Sequence, residues 1–486
     1  MTQLAAVRPR LTALARAGIA CAVMMAGVLM AGSSQAQTSQ PISHWVSCDP
    51  QADQRDNAAK AFAAAANNAF TLVVDCPVFI HVGQDVERPI FLDNGVHVAM
   101  TGAGRFIVDN VFIPTFVIAN SNDIEMRDWD VEYIGSMPTN PKTGGYTKNG
   151  AFVAYAASDP AAFYFNDEVL TGWLAAHRGI VFPHTTTPWS GPTNAAATFR
   201  FLGSSSRISI VGMRFHAAPG ADVDHLIPVA FNVDGGYRNG VTAPARGAPV
   251  DPGLIAIPSQ MTVEGLTLDG AYMGWVGSVQ DSTFDHITSL RYGDLQTPRG
   301  GDLGGVGKWF APPHLFYFVA VGTLPTNNIK ITNVVDRGQR LGLARDTVPG
   351  QLSGYALSLK IGANNSVVSN YVSYRPDGLL DVLQASNMTL TNIHGEYNSA
   401  FLNNLFSGIR FPGTNMHNVT LSDVSIRDVA PVSLAPPISN MPDQHSDHVV
   451  LRNVTVSVNS AAPGLKLIPT VVGAGSSAEV RQTPAH

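Results

Sequence analysis

The chain has 486 residues with 30 basic and 36 acidic side chains, and only 14% of its residues are charged. Its 45 glycines and 32 prolines give a turn-rich globular composition, which excludes a coiled coil and a disordered chain. The acidic balance excludes nucleic acid and an anionic membrane as main partners, because phosphate binding needs a basic face.

Residues 1–36 have the pattern of a secretory signal. Three arginines precede an apolar run over residues 19–30, and small residues up to Ala36 follow. We expect cleavage before Gln37, which leaves about 450 residues, 27 basic against 36 acidic, and a net charge near −9. The pattern predicts a secreted or periplasmic protein with no membrane anchor, since no segment reaches the roughly 18 apolar residues of a spanning helix.

Residues 37–90 are predicted to form an N-terminal cap. The Ala-rich segment 50–68 is amphipathic, which predicts a helix over residues 53–67, and a strand follows up to Cys76. Cys48 and Cys76 remain after signal removal, and an even pair in an exported chain predicts a disulfide. The helix would cover an apolar end of the next domain that is otherwise an open edge.

Short alternating strands repeat through residues 91–462. Each repeat opens on Asn, Ser or Asp, alternates β-branched and apolar residues, and bends at Gly, Asn, Asp or His. The bends at Gly265 and His286 lie 21 residues apart, and those at Asn370 and Asn392 lie 22 apart. A minimum near 21 with irregular insertions predicts stacked coils, whereas a β-sandwich would need Asn-Gly hairpin signals, which are scarce. Residues 463–486 lack the period and are predicted to be a loose tail.

This pattern resembles the right-handed parallel β-helix of the pectin-lyase-like superfamily over roughly residues 90–460. The predicted fold class is therefore all-β: one single-stranded right-handed parallel β-helix of about ten coils with an N-terminal helical cap. The resemblance implies a polysaccharide lyase or glycoside hydrolase that acts on an extended glycan in a groove. Neither the motifs of the polygalacturonase-type hydrolases nor the acidic cluster of the calcium pectate lyases can be mapped. No individual family is assigned. No cofactor is predicted, and calcium is an alternative that no motif supports.

Aligning the coils on their bends predicts a ladder of charges along one edge. Successive parallel strands lie about 4.8 Å apart. Stacked arginines repel one another, so they need an anion, which is either a local carboxylate or a uronate of the substrate. The predicted ladder consists of Asp269, Arg291, Arg337, Arg375 and Glu396.

The insertion at residues 290–318 is the most informative loop. It is rich in glycine and contains Trp309 and His314, and an indole suits stacking on a pyranose. Trp275 begins a comparable strand one coil earlier. The structural alternatives are that Trp309 plugs the side of the helix and that His314 is a satisfied structural histidine.

Lys360 is predicted to lie beside Asp381, one coil away. A lysine within an otherwise apolar strand must point outward, and neighbouring arginines would lower its pKa towards that of a usable base.

Two chemistries follow for a polysaccharide substrate. In β-elimination, Lys360 is the base and arginines bind the uronate carboxylate; in hydrolysis or transglycosylation, paired carboxylates flank the bond. We favour elimination, with hydrolysis as the alternative and non-catalytic surface glycan binding as a second alternative. Sugar identity and oligomeric state stay open. The candidate catalytic residues are Lys360, Arg375, Asp381, Asp336 and Glu396, and the candidate substrate-binding residues are Asp269, Trp275, Arg291, Trp309, His314 and Arg337.

Overall fold

The computed structural model describes most of the chain after residue 37. Two sequence predictions, the signal at residues 1–36 and the sugar-stacking role of Trp309, lie outside the described residues. The described ranges are 38–82, 88–110, 113–135, 145–148, 151–154, 173–178, 197–221, 225–237, 251–293, 314–318, 326–341, 357–375, 378–400, 408–411, 415–439, 445–468 and 473–484.

The elements are numbered along the chain. Helix α1 spans Arg55–Asn68, a short helix covers residues 173–178, and 3-10 turns cover Ile42–His44 and Pro252–Leu254. Strands β1–β11 span Ser39–Pro41, Thr71–Val74, Pro77–Ile80, Ile90–Phe91, His97–Met100, Arg105–Val108, Phe116–Ala119, Asn122–Arg127, Asp130–Tyr133, Gly145–Lys148 and Ala151–Ala154. Strands β12–β22 span Ala197–Leu202, Ser206–Val211, Arg214–Ala217, Ile227–Asp234, Gly236–Tyr237, Ile255–Ala256, Ser259–Glu264, Thr267–Asp269, Ala271–Gly277, Gln280–Gly293 and His314–Phe318. Strands β23–β32 span Thr326–Leu341, Leu357–Ile361, Ala363–Ser373, Leu380–Val382, Ser386–Tyr397, Ile409–Arg410, His417–Asp428, Ile438–Ser439, Asp447–Val458 and Ser477–Pro484.

Two short antiparallel pairs, β10 with β11 and β16 with β17, form sheets of their own. The other strands pair in parallel with their equivalents one coil away and form three stacks. The first stack contains β1, β2, β5, β8, β13, β18 and the first halves of the long strands β21, β23, β25, β27, β29 and β31. The second stack contains β3, β6, β9, β14, β19 and the second halves of those long strands. The third stack contains β4, β7, β12, β15, β20, β22, β24, β26, β28 and β30. This confirms the predicted parallel β-helix.

Left-handed backbone at the bends turns each long strand from the first stack into the second. Asn333, Asn370 and Asn392 have φ of 53–54°, a conformation that Asn tolerates better than most residues. Their side chains form a ladder, because Asn370 donates to Asn333 at 3.0 Å and Asn392 donates to Asn370 at 2.7 Å. The polar bend residues that set the period in the sequence are therefore bonded from coil to coil.

Aromatic rings stack inside the helix on the third stack. Phe116, Phe199, Phe231 and Trp275 occupy equivalent positions on successive coils. Their ring centroids are 5.0, 5.2 and 4.1 Å apart, and all four side chains are fully buried. The period-2 alternation of each strand places these rings in the core and the intervening residues on the outer face.

Helix α1 caps the N-terminal end, as the sequence predicts. It buries Ala58, Ala61, Ala65 and Phe62, and the Phe62 ring lies 6.0–6.3 Å from rings on the first coils. The disulfide between Cys48 and Cys76 is confirmed, and it links the segment before the helix to the turn after β2.

The predicted loose tail is corrected by β32. This strand pairs in parallel with β31, with Val454 opposite Val480 and Val458 opposite Pro484, so part of residues 463–486 adds a further rung. Among the described side chains of β32, Val480 alone packs against the core, which is why the segment lacks a visible apolar period. No helix in the described ranges combines the length and apolar character needed to cross a bilayer.

Replacing Cys48 and Cys76 together by serine should destabilise the protein. Their separation of 28 residues makes the loss about 2–4 kcal/mol in the free energy of unfolding, because the unfolded chain gains loop entropy. Chemical denaturation measures this loss, and wild-type protein in reductant should reproduce it. An unchanged denaturation midpoint in both cases would contradict a stabilising role for the disulfide.

Candidate functional site

A column of polar side chains runs along the outer face of the third stack. The strand pairings place Val276, Tyr317, Lys360, Asp381 and Arg410 at equivalent positions on five successive coils. We call Tyr317, Lys360, Asp381 and Arg410 the Lys360 cluster. The predicted juxtaposition of Lys360 and Asp381 is thus observed, with about 4.8 Å between their strands.

Asp381 is bound by Arg410 in a two-point ion pair. Nε and Nη2 of Arg410 donate to the two carboxylate oxygens at 2.7 and 2.6 Å. The Asp381 side chain is fully buried, although it lies on the outer face of its strand. Both carboxylate oxygens are therefore occupied by one guanidinium, which fixes the position of this carboxylate.

Lys360, unlike Arg410, has no ion pair with a described carboxylate. Its Nζ lies 4.9 Å from the centroid of the Tyr317 ring, within range of a cation–π contact. None of the described carboxylates forms an ion pair with it, although its side chain is partly buried. Burial lowers the pKa of Lys360, Asp381 opposes this effect, and Arg410 adds to it. The predicted lowering is present, but its main cause is desolvation rather than neighbouring arginines.

Asp336 and Arg375 lie together in a closed buried cluster. Nε of Arg375 donates to Asp336 at 2.5 Å, and the Ser358 hydroxyl donates to the same carboxylate at 2.7 Å. The guanidinium also lies 4.2 Å from the Tyr292 ring centroid, and both charged side chains are at most 2% exposed. Burial raises the pKa of Tyr371, whose hydroxyl bonds to Ser358 at 2.6 Å. The candidate catalytic roles of Asp336 and Arg375 do not fit this location, because substrate cannot reach either buried charge.

Two arginines of the predicted ladder pair with different carboxylates. Arg291 donates to both carboxylate oxygens of Asp269, at 2.5 and 2.9 Å, and Arg375 is paired with Asp336. A local carboxylate, which was one of the two anions expected, therefore neutralises these two arginines. Glu396 lies opposite Arg427 at 3.7 Å, and Arg337 is exposed.

Trp275 and His314 occupy buried positions. Trp275 continues the aromatic stack of the core, 4.1 Å from Phe231, so its predicted sugar-binding role is corrected. His314 begins β22, is fully buried, and stacks on Tyr317 at 5.0 Å between ring centroids. It therefore supports the Tyr317 ring rather than facing solvent.

The sequence pattern does not single out Tyr317 and Arg410. Counting eleven residues back from the bends at Asn370 and Asn392 gives Leu359 and Asp381, which lie next to Lys360. The same count misses Tyr317 and Arg410, because the connections from the third to the first stack differ in length. The available signal was a polar residue within a short apolar strand, as in Leu315–Phe316–Tyr317–Phe318.

The described residues contain no group of three or more His, Cys, Asp or Glu side chains arranged to hold a metal ion.

No protein-family model matches the chain, and no curated protein sequence matches it.

Several solved structures resemble the chain at low similarity. A family 28 exopolygalacturonase from Yersinia enterocolitica has 9% identity and a TM-score of 0.45, over 92% of this chain and 77% of its own. PfbA, a surface adhesin of Streptococcus pneumoniae, has 11% identity and a TM-score of 0.41, over 88% and 91%. The A-module of an Azotobacter vinelandii mannuronan C-5 epimerase has 9% identity and a TM-score of 0.35, over 92% and 100%. At this level of similarity, no activity and no residue role transfers to this chain.

Asp336→Asn should destabilise the fold strongly. It removes the charge partner of a buried guanidinium, which costs about 3–5 kcal/mol in the free energy of unfolding. The combined change Asp336→Leu with Arg375→Met should recover most of this loss, since no buried charge remains. Asp123→Asn is the matched control, because the Asp123–Arg207 pair is 54% exposed on both sides and should matter little. Equal denaturation curves for Asp336→Asn and Asp123→Asn would contradict the assignment.

Proposed function

We propose that the chain is a carbohydrate-active enzyme that cleaves a uronate-containing polysaccharide by β-elimination, with Lys360 as the base. The observation that carries the proposal is a partly buried amine of lowered pKa with no ion-pair partner among the described carboxylates. A base for elimination must be neutral before it accepts a proton, and desolvation favours the neutral amine. The predicted export signal agrees with a polymeric substrate outside the cell.

The elimination step balances with the residues of the Lys360 cluster. The neutral amine of Lys360 takes the C5 proton of the uronate, and the electrons of that C–H bond form the C4–C5 double bond. The bond from C4 to the glycosidic oxygen breaks, and that oxygen takes a proton. The Tyr317 hydroxyl is our candidate donor, because its ring lies next to Lys360 on the same outer face. Exchange with water then returns both side chains to their starting states.

The charge of the cluster suits an anionic sugar. Lys360 and Arg410 carry two positive charges when the amine is protonated, against one negative charge on Asp381. The chain as a whole has a net charge of −6, so a cluster with an excess of positive charge is where a polyanion is attracted. Lys360 becomes an ammonium ion as it takes the C5 proton, so a uronate carboxylate beside it and Arg410 is better able to stabilise the negative charge that develops at C5.

Hydrolysis has less support from the carboxylates. A hydrolase needs one protonated and one ionised carboxyl group facing the bond. Asp381 is bound by Arg410 at two points, and Asp336 is bound by Arg375 and Ser358. Such contacts occupy the carboxylate oxygens that would transfer a proton to the glycosidic oxygen or activate water.

Lys360→Met should strongly reduce the rate of elimination without loss of stability. Removing a positioned base costs about 10²–10⁴ in turnover. The free energy of unfolding should not fall, because methionine fills similar space and removes a partly buried charge. Turnover is measured by the absorbance of the unsaturated product and stability by chemical denaturation. Lys330→Met is the matched control, since Lys330 is exposed on the first stack. Full activity in Lys360→Met would refute the proposed base.

The pH dependence should report the lowered pKa of Lys360. We expect kcat/KM to rise with pH and to level off below the ordinary lysine value of about 10.4, because only the neutral amine accepts the proton. Asp381→Asn removes the carboxylate that favours the ammonium form, so the rise should move to lower pH. A rise centred at or above the ordinary value, or one that Asp381→Asn leaves in place, would contradict this assignment.

A further inference from the structure

Four side chains form a ridge on the outer side of the second stack. Asp336 pairs with Ser373, and Ser373 pairs with Gly395. The residue after each of these three therefore occupies the same position on successive coils, and Glu396 pairs in turn with Arg427. We call this set the Tyr374 ridge: Arg337, Tyr374, Glu396 and Arg427. It lies on a different stack from the Lys360 cluster.

Tyr374 gives the ridge a flat aromatic surface. Its side chain is 47% exposed, and it is the only Phe, Tyr or Trp among the exposed large apolar side chains of the described residues. An exposed phenol ring offers an apolar face and a polar edge, which match the face and the hydroxyls of a pyranose. The remaining exposed apolar residues in that set are aliphatic and lack this geometry.

Arg337 gives the ridge a cation next to that ring. It is exposed, and none of the described carboxylates forms an ion pair with it. The carboxylate of the ridge, Glu396, faces Arg427 at 3.7 Å on the far side of Tyr374. An arginine fork binds a carboxylate through two parallel hydrogen bonds, and Arg337 is placed one coil from the ring.

The backbone beneath the ridge is held in place. The amide of Tyr374 donates to the carbonyl of Asp336 at 2.9 Å. Gly338 has φ of +65°, and a Cβ there would lie 2.3 Å from the Tyr374 carbonyl oxygen, so only glycine fits this close approach. The buried Asp336–Arg375 pair flanks Arg337 and Tyr374 along the chain. The backbone that carries both binding groups is therefore fixed, so binding has to order only their side chains.

We propose that the Tyr374 ridge is a second glycan-binding site, which holds one acidic pyranose of the polymer. The sugar ring stacks on Tyr374, and its carboxylate is bound by Arg337. This site needs no reaction at Lys360, so it stands whether the polymer is eliminated, hydrolysed or only bound.

The test measures binding in a Lys360→Met background by titration calorimetry. The probes are oligosaccharides of polygalacturonate, alginate and hyaluronan, with dextran oligosaccharides as the neutral control. Arg337→Ala and Tyr374→Ala should each weaken binding of an acidic probe about tenfold or more, the size of a lost charged hydrogen bond or stacking contact. Tyr374→Phe should retain affinity. Arg452→Ala is the matched control, since Arg452 is exposed on the first stack and should leave the dissociation constant unchanged.

Three results would overturn the proposal. They are unchanged dissociation constants in both alanine variants, equal losses for acidic and neutral probes, and no binding of any acidic probe. Melting temperatures should stay at the parental value, because both side chains are exposed. Arg337→Lys repeats the test with the charge kept, and its affinity should fall between those of the parent and Arg337→Ala. Because no turnover is measured, failure of this proposal is distinct from failure of the Lys360 assignment.

Discussion

Parallel stacking in register, at about 4.8 Å per coil, is the constraint on which the rest of the structure depends. It brings equivalent positions of successive coils together, so each residue must suit the residues one coil before and after it. Asparagines meet this requirement at the bends because each amide both donates and accepts, as from Asn392 to Asn370 to Asn333. Aromatic rings meet it in the core by stacking, as Phe231 does on Trp275.

The same constraint explains the chemistry of the outer faces. Like charges on neighbouring coils repel, so most arginines near the proposed sites are paired with carboxylates, as Arg291 is with Asp269 and Arg410 with Asp381. Lys360 and Arg337 depart from this pattern. Lys360 is partly buried beside an already neutralised aspartate, and Arg337 is exposed beside an aromatic ring. Neither has a carboxylate partner among the described residues, so each in its charged form suits an external anion, which links both proposed sites to acidic sugars.

The fold could be predicted from the sequence because its period is carried by bend residues and by alternation, both of which are local. The nearness of Lys360 to Asp381 followed for the same reason. The bends at Asn370 and Asn392, 22 residues apart, set Asp381 opposite Leu359, one residue from Lys360, which is its partner in the structure. The role of Trp275 was wrong because odd and even positions of its strand are both apolar, so the sequence does not show which side chains face the core. The role of Arg375 was wrong because its partner, Asp336, is 39 residues away in the sequence. The pattern does not show that this aspartate lies in the core.

The central claim is that an amine of lowered pKa, rather than a carboxylate pair, breaks the glycosidic bond. The most direct test is the structure of the new non-reducing end released from polygalacturonate, alginate and hyaluronan. If Lys360 acts as the base, this end is an unsaturated uronate, seen as ultraviolet absorbance that grows in step with new reducing ends. New reducing ends without that absorbance would mean that water is added to the bond, and elimination by Lys360 would be wrong.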